Sequence, residues 1–555
     1  MKRDPEILLA TINAKWIHPS LALRLLKANL GHLEEHCEII EFALRQPLRE
    51  KLDPILGARP RILGISVSIW NHSATLELLR ELWKAWGTRP GLAEYLDRSQ
   101  VVGPGRPVIV LGGPEVSHLP PETEIFRYAD FCIRGEGELA FKTFCERILG
   151  GWDRQNLGME PQKMRQETNS PPGADFFVNA APVDLAAIKS AYHLYTDEDV
   201  SKKLIYVEAS RGCPFNCEFC LSSVKPENAA GDNALQGDSA VPLGVREFPL
   251  EPFLSGMDDL IRRGVRTFKF LDRTFNLNIN RARRIMEFFL ERIEERKLSG
   301  AAPLTVHFEM VPSRFPLELR ETLTCFPPDA IGSDSSLRLE IGIQTLNPKV
   351  SARIGRPSDP EKELETLRFL REKTNAIIHA DLIAGLPGED LASFGRGFDR
   401  LWAALSPEPA ATAAIAPAAD ATTTAAQATQ RHPRTEIQLG ILKLLPGAPI
   451  NRHTEAFGMR YNPAPPYEVL ETAAMSAAVL ERVKNFARFW GLIMNSGLLE
   501  NLEFETKFAE SGVSTFERFM ALSDSLLARF GRNWGIDKHE LLYAILSPCK
   551  TIPLS

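Results

Sequence analysis

The stretch Leu204-Ile-Tyr-Val-Glu-Ala-Ser-Arg-Gly-Cys213-Pro-Phe-Asn-Cys217-Glu-Phe-Cys220 holds the reading on which the fold turns. Leu204–Glu208 is a short apolar run of strand type. It leads into a glycine- and proline-containing turn with three cysteines in eight residues, spaced C-x3-C-x2-C. The other five cysteines, Cys37, Cys132, Cys145, Cys325 and Cys549, are scattered, and a chain this long has no need of a disulfide framework. Three thiolates on one loop suit an iron–sulfur cluster, and three ligands for four irons leave one iron open to a substrate. Structural zinc is the alternative; it wants a fourth Cys or His nearby, and none follows within the next 80 residues.

Outward from this turn, strand-like runs recur at Thr267–Leu271, Thr305–Met310, Leu337–Ile343, Ile377–Ala384 and Ile437–Lys443. Helical spacing separates them at Phe253–Arg263, Ile279–Arg296 and Pro360–Lys373. Six strand–helix units predict an α/β fold of partial (β/α)6 TIM-type barrel form, with functional residues at the strand C-termini. Upstream, the runs Ile7–Ile12, Cys37–Phe42, Ile62–Ile69, Val108–Leu111 and Phe131–Ile133 alternate with helical patterns such as Leu21–Leu30 and Ala74–Trp86. That alternation predicts a doubly wound, Rossmann-like parallel sheet, which binds ligands beyond the carboxyl ends of its strands. The expected domains are 1–150, a linker at 151–200 (polar and Pro/Gly-containing over 152–176), the barrel at 201–450, and a helical region at 451–555. The last contains the helical segments Tyr467–Trp490, Thr515–Phe530 and Lys538–Ile545. Two stretches, 225–241 and 407–434, read as surface insertions.

Composition narrows the function classes. With 44% hydrophobic and 25% charged residues, the 555-residue chain can bury a sizeable core. Lys and Arg total 65 against 71 Asp and Glu, a net charge of −6, which argues against a broad nucleic-acid surface. No apolar run is long enough to span a bilayer, and Ile7–Ile12 is too short for a signal segment, so the expected location is the cytoplasm.

The C-x3-C-x2-C turn, with Phe219 just before its last cysteine and a six-unit barrel around it, resembles the radical S-adenosylmethionine (SAM) superfamily. The resemblance implies that SAM chelates the open iron of a [4Fe-4S] cluster on Cys213, Cys217 and Cys220. One electron then cleaves SAM to methionine and a 5′-deoxyadenosyl radical. It implies that Phe219 packs near the adenine and that Asp272, ending the second strand, contacts the methionine end. It also implies that Glu309, ending the third strand, holds ribose hydroxyls, while Glu340 and Gln344 flank the fourth strand. Asp381-Leu-Ile-Ala-Gly-Leu-Pro-Gly-Glu389 resembles the fifth-strand signature. Each carboxylate also has a plainer reading, as a helix cap or a surface charge.

A doubly wound domain before such a barrel is similar to the cobalamin-binding domains of one large group in this superfamily. Leu111-Gly-Gly-Pro-Glu115 and Arg134-Gly-Glu-Gly-Glu138 match the glycine turns of that group. This implies a cobalamin site at the strand ends, with Asn13, Ser66, Gly112, Gly113 and Glu136 as binding positions, the glycines admitting a flat ligand. It further implies methyl transfer to an unactivated carbon of an unidentified substrate, and a flavodoxin- or ferredoxin-type electron donor. The Asp-x-His-x-x-Gly cobalt-ligand signature is absent from residues 1–150, and His18 reads as a loop histidine. The competing readings are a cobalamin-free radical enzyme, methylthiotransferase-like or other, and a non-catalytic iron–sulfur or zinc protein. Methylthiotransferases carry cysteines at N-terminal strand ends, and Thr11-Ile-Asn-Ala has none.

Overall fold

A computed structural model describes residues 5–87, 106–150, 176–223, 244–328, 336–406, 435–498 and 514–546. The expected insertions, residues 151–175 of the linker, and Cys549 lie outside the described residues. The chain forms two compact units, Met1–Ala209 with Arg246–Lys269, and Ser210–Val245 with Phe270–Ser555.

The first unit is built on β1 (Ile7–Asn13), β2 (Cys37–Ala43), β3 (Ile62–Ser66), β4 (Val108–Gly112), β5 (Phe131–Gly135) and β6 (Phe177–Ala180). They pair in parallel in the order β2-β1-β3-β4-β5-β6. Successive side chains of one strand enter different cores. Leu8, Ala10, Ile12, Leu63 and Ile65 pack with Leu78 and Leu82, whereas Ile7, Leu9 and Ile62 pack with Leu23 and Phe141. Burial on both faces explains why these strands read as continuous apolar runs. The order reverses direction between β1 and β3, and in a doubly wound sheet that switch opens the ligand crevice. β6 lies inside the stretch read as linker, where its signal is only Phe176-Phe177-Val178 after a Pro/Gly run. Phe176 and Phe177 anchor it by meeting Phe126 edge-to-face at 5.6 and 5.2 Å. A short helix, Asp197–Lys202, with a capping box from Thr196 and Asp199, also falls within that stretch.

A second sheet likewise has six strands. Its strands are β7 (Ile205–Val207) and, after the separately paired two-residue strands β8 (Ser210–Arg211) and β9 (Arg246–Glu247), β10 (Thr267–Phe270), β11 (Thr305–Met310), β12 (Leu337–Gln344), β13 (Ile377–Ala384) and β14 (Thr435–Ile441). Within the second unit β11, β12, β13 and β14 pair in chain order, all parallel, with helices between them. This is the partial (β/α)6 arrangement. Val306, Phe308 and Met310 of β11 and Leu337, Leu339, Ile341 and Ile343 of β12 are buried, and the residues alternating with them are only half-buried. Polar side chains therefore line one face of this sheet.

The C-terminal helices are Ala477–Ile493, Thr515–Phe530 and Lys538–Leu546. The first starts ten residues later than expected from Tyr467, because Val469–Glu471 is a strand paired antiparallel with Arg460–Tyr461. Phe486 and Trp490 of that helix pack with Phe516 and Phe519 of the next, and Phe398 joins the cluster. No helix among the described residues is long and apolar enough to cross a membrane.

Candidate functional site

The cysteine turn begins at Gly212, whose φ of +94° is left-handed and whose added Cβ would collide with the Gly244 carbonyl oxygen. Only glycine fits there. Cys213, Cys217 and Cys220 follow as half-buried cysteines in no disulfide, with Cys220 N–H donating to the Cys217 carbonyl at 3.0 Å. Burial pushes the Cys213 and Cys217 thiols up. A backbone N–H from Phe215 and the charge of Arg273 oppose this at Cys213, as does the Arg356 guanidinium at Cys217. Cys37 and Cys132 are fully buried and pushed to about 12, which suits inert core thiols. Cys37 starts β2 and Cys145 lies within the helix Gly137–Leu149, so neither stands at a strand C-terminus. Among the described residues, no three Cys, His, Asp or Glu side chains converge on one ion position. Three cysteines on one short loop, each able to give its thiolate to a different iron, are a donor set that suits a cluster.

Sequence reasoning missed the residues that hold this turn. Glu218, between two of the cysteines, is buried. Its carboxylate accepts from Arg452 Nε at 3.0 Å and lies 2.8 Å from His453 Nε2. Its backbone N–H donates to Ile354 O, and its carbonyl accepts from Ile450 N–H, both at 3.0 Å. Gly355 packs against the Asn216 carbonyl, and Arg356, beside Cys217, also bonds the Gly342 carbonyl. Gly355-Arg356 follows an ordinary helix, so nothing local in the sequence marks it as a support for a loop some 140 residues earlier.

The other predicted residues occupy definite places. Phe219 lines a pocket of about 450 Å³ with Leu439–Leu442, Lys443 and Lys484, and Lys484 pairs with Glu468 at 2.8 Å. Asp272 is buried and accepts from Ser210 Oγ at 2.6 Å, which ties it to the start of the cysteine turn. Glu309 lies 3.8 Å from Arg273, and Glu340, its register neighbour, lies 3.3 Å from His307 Nε2. Gln344 sits after a bulge with φ +69°, and its amide folds over Gly342. A left-handed non-glycine at a strand end is a strained position of the kind functional sites retain.

Glu389, closing the fifth-strand signature, is 1% exposed and accepts from Thr345 Oγ1 at 2.7 Å. Burial raises it from 4.5 to about 7. The folded chain thus keeps this proton to about pH 7, whereas the unfolded chain releases it near 4.5. The stability it contributes is complete below the lower value and is lost as pH rises through the upper one. Glu389→Gln is expected to flatten that part of the Tm–pH curve and to gain on the order of 2–3 kcal/mol over the native chain above pH 7.

In the first unit, Asn13 and Ser66 end the two strands that flank the switch. Asn13 Nδ2 donates to Glu41 Oε1 at 3.1 Å. The glycine turns serve internal packing: a Cβ on Gly113 would lie 2.5 Å from Val67 O, and one on Gly135 would lie 2.6 Å from Ala180 O. Gly112, by contrast, has room for a Cβ. Glu136 pairs with Arg246 and accepts from Val183 N–H at 2.8 Å. His18 Nδ1 lies 3.0 Å from the Tyr206 hydroxyl, and burial lowers its pKa. Sequence reasoning overlooked an apolar rim just past the strand ends, made of Trp16 and Ile17 after β1, Leu44 after β2 and Trp70 after β3. All four are 38–51% exposed. Their loop positions, where polar residues are usual, were the available signal.

Residues 207–400 match the Radical SAM superfamily. An uncharacterized methyltransferase of Pyrococcus horikoshii is 32% identical over 178 residues, which are 31% of this chain and 35% of that protein. The chain thus spans about a third of the length of the relative it matches. Among solved structures, the radical SAM methyltransferase TsrM from Kitasatospora setae, with cobalamin and a [4Fe-4S] cluster bound, is similar over 94% of this chain and 100% of its own. The TM-score is 0.54 at 15% identity. The cobalamin-dependent SAM radical enzyme OxsB, with aqua-cobalamin and SAM bound, matches over 98% of this chain and 78% of its own, with TM-score 0.54 and 13% identity. At such identities the likeness is one of fold.

Proposed function

We propose, from the match of residues 207–400 to the Radical SAM superfamily, that the chain is a radical SAM enzyme that uses a [4Fe-4S] cluster and cobalamin to methylate an unactivated carbon. The observation that carries the reading is the set of three half-buried cysteines, none in a disulfide, on the turn whose Phe219 walls a pocket. When bound, the cluster supplies the electron that cleaves SAM to methionine and a 5′-deoxyadenosyl radical, and cobalamin supplies the route for the methyl group.

This chain's own residues bind, orient and exclude water. Arg356, beside Cys217, and Arg273, beside Cys213, offer cations to the methionine carboxylate. Asp272, fixed by Ser210, faces the amine end, and Glu309 and Gln344 accept or donate to ribose hydroxyls, with Glu340 next to Glu309 in register. Phe219 and the apolar residues Leu439–Leu442 enclose the adenine and keep water from a reactive carbon. In the first unit Trp16, Ile17, Leu44 and Trp70 give a flat macrocycle an apolar seat, with Asn13, Ser66, Gly112, Gly113 and Glu136 at the strand ends around it. The proposal joins residues 176–200 to the first domain through β6, and keeps the barrel at 201–450, the helical region at 451–555, a flavodoxin- or ferredoxin-type donor, and a reducing, cytoplasmic setting.

The test is anaerobic reconstitution followed by iron, sulfide and cobalt analysis and assay of 5′-deoxyadenosine. About four irons, bound cobalamin and SAM cleavage are expected; zinc in place of iron would overturn the reading. Trp70→Ser is expected to weaken hydroxocobalamin binding about tenfold, from the lost aromatic contact, with iron content unchanged. Unchanged cobalamin uptake in that variant would remove the apolar seat from the proposal.

A further inference from the structure

The pocket lined by Phe219 has a second wall, built by the chain beyond β14, that the cluster and SAM reading does not use. Lys443 stands two residues past β14, Glu468 just before the strand Val469–Glu471, and Lys484 on the helix Ala477–Ile493; all three are half-buried and line the pocket. Lys443 and Glu468 face each other across an antiparallel bridge. Leu444 N–H donates to Tyr467 O at 3.0 Å and Val469 N–H to Leu442 O at 2.8 Å, the two bonds that flank a non-hydrogen-bonded pair. Side chains of such a pair stand close together on one face, so Lys443 and Glu468 enter the pocket side by side.

Glu468 is already engaged, its carboxylate holding the Lys484 ammonium at 2.8 Å. Among the described residues the Lys443 ammonium has neither an ion pair nor a hydrogen bond. No other charged residue among them lines the pocket, so two cations face one carboxylate and a single positive charge is left over. The rest of the lining is glycine and apolar side chain, including Ile383, Leu445 and Ala487. A lysine between such walls gives up part of its hydration and finds no counter-charge in return. Adenine, seated against Phe219 in the SAM reading, is neutral and does not supply one. The cavity of about 450 Å³ takes a drug-sized ligand, more than a single purine fills. An apolar cavity with one uncompensated cation selects a ligand with an apolar body and an anionic head.

We propose that Lys443 binds the anionic head group, a carboxylate or phosphate, of an amphipathic ligand whose body lies along the apolar wall, and that the substrate of this enzyme is such an anion. That the ligand is a substrate rests on the radical SAM reading; the anion site does not.

The reconstituted full-length chain, with its cluster oxidised and SAM saturating throughout so that the probes do not report on the SAM site, is to be unfolded thermally under anaerobic conditions. The probes are 3-phenylpropionate and 2-phenylethyl phosphate, with neutral 3-phenylpropanamide and the bodiless anion acetate as controls, each at about 20 mM. The two amphipathic anions are expected to raise Tm by about 1–3 °C, the larger shift naming the head group, and the controls to leave it unchanged. The shift is expected to vanish in Lys443→Gln and to return in Lys443→Arg, which restores the charge but not the shape. An equal shift from the amide, no shift from either anion, or a full shift surviving in Lys443→Gln overturns the proposal. Should Lys443→Gln fail to fold, Lys484→Gln decides: it leaves one cation facing one carboxylate, and an undiminished shift there overturns the proposal as well. Release of 5′-deoxyadenosine on reduction of the native chain is measured separately; its absence would refute the radical reading while leaving the thermal result to decide the anion site.

Discussion

A Cys217→Ala chain, reconstituted with iron and sulfide, is expected to cleave SAM at least about 10³-fold more slowly than the native chain, which corresponds to about 4 kcal/mol of lost transition-state stabilisation. Cys217 is the cysteine that Arg356 contacts, and Glu218 beside it locks the turn to two other segments. Removing this thiolate takes away one of only three ligands, and the open iron that SAM would chelate loses its defined position. The expected sample has sub-stoichiometric iron and no SAM-dependent change in the spectrum of the reduced cluster. Cys37→Ala is the matched control: its thiol is buried and pushed to about 12, so it is expected to lose some stability and no cleavage. Cleavage that survives in Cys217→Ala would mean that the radical chemistry is misassigned.

The parallel sheets were legible because their strands are buried on one or both faces and so carry strong apolar runs. Thr305–Met310 and Ile377–Ala384 are found at the residues the pattern predicts, and Ile7–Asn13 differs by one. β6 was not legible, since four residues held by aromatic edge contacts to Phe126 leave no periodicity to read. At the site, the cysteines announced themselves by spacing, whereas Glu218, Gly355 and Arg356 act through contacts between segments far apart in sequence. The glycine turns carry a requirement that the pattern does not show: Gly113 and Gly135, read as room for a ligand, also stand where one backbone crosses another, at Val67 and Ala180. A sequence pattern can report a glycine's necessity without reporting what stands against it.

Gly355→Ala is the second change expected to have a large effect, although it lies outside every motif. Gly355 has φ +68°, and its Cβ would stand 2.5 Å from the carbonyl oxygen of Asn216, the residue before Cys217. The left-handed backbone alone costs about 1 kcal/mol for alanine. The contact adds to this, because neither partner is the end of a flexible side chain, so the turn itself must move. Glu218 N–H bonds the neighbouring Ile354 carbonyl at 3.0 Å, which denies the turn an easy retreat. A displacement of about 1 Å at a reacting centre can cost on the order of 10²-fold in rate. The expected outcome is a folded chain with reduced iron and SAM cleavage slowed 10- to 100-fold. Gly300→Ala separates strain from collision, since Gly300 has the identical φ of +68° and nothing within 4 Å of an added Cβ. That variant is expected to lose comparable backbone stability while keeping its iron and its cleavage rate. Equal loss of iron in both variants would show that general destabilisation, rather than contact with the cysteine turn, is the cause.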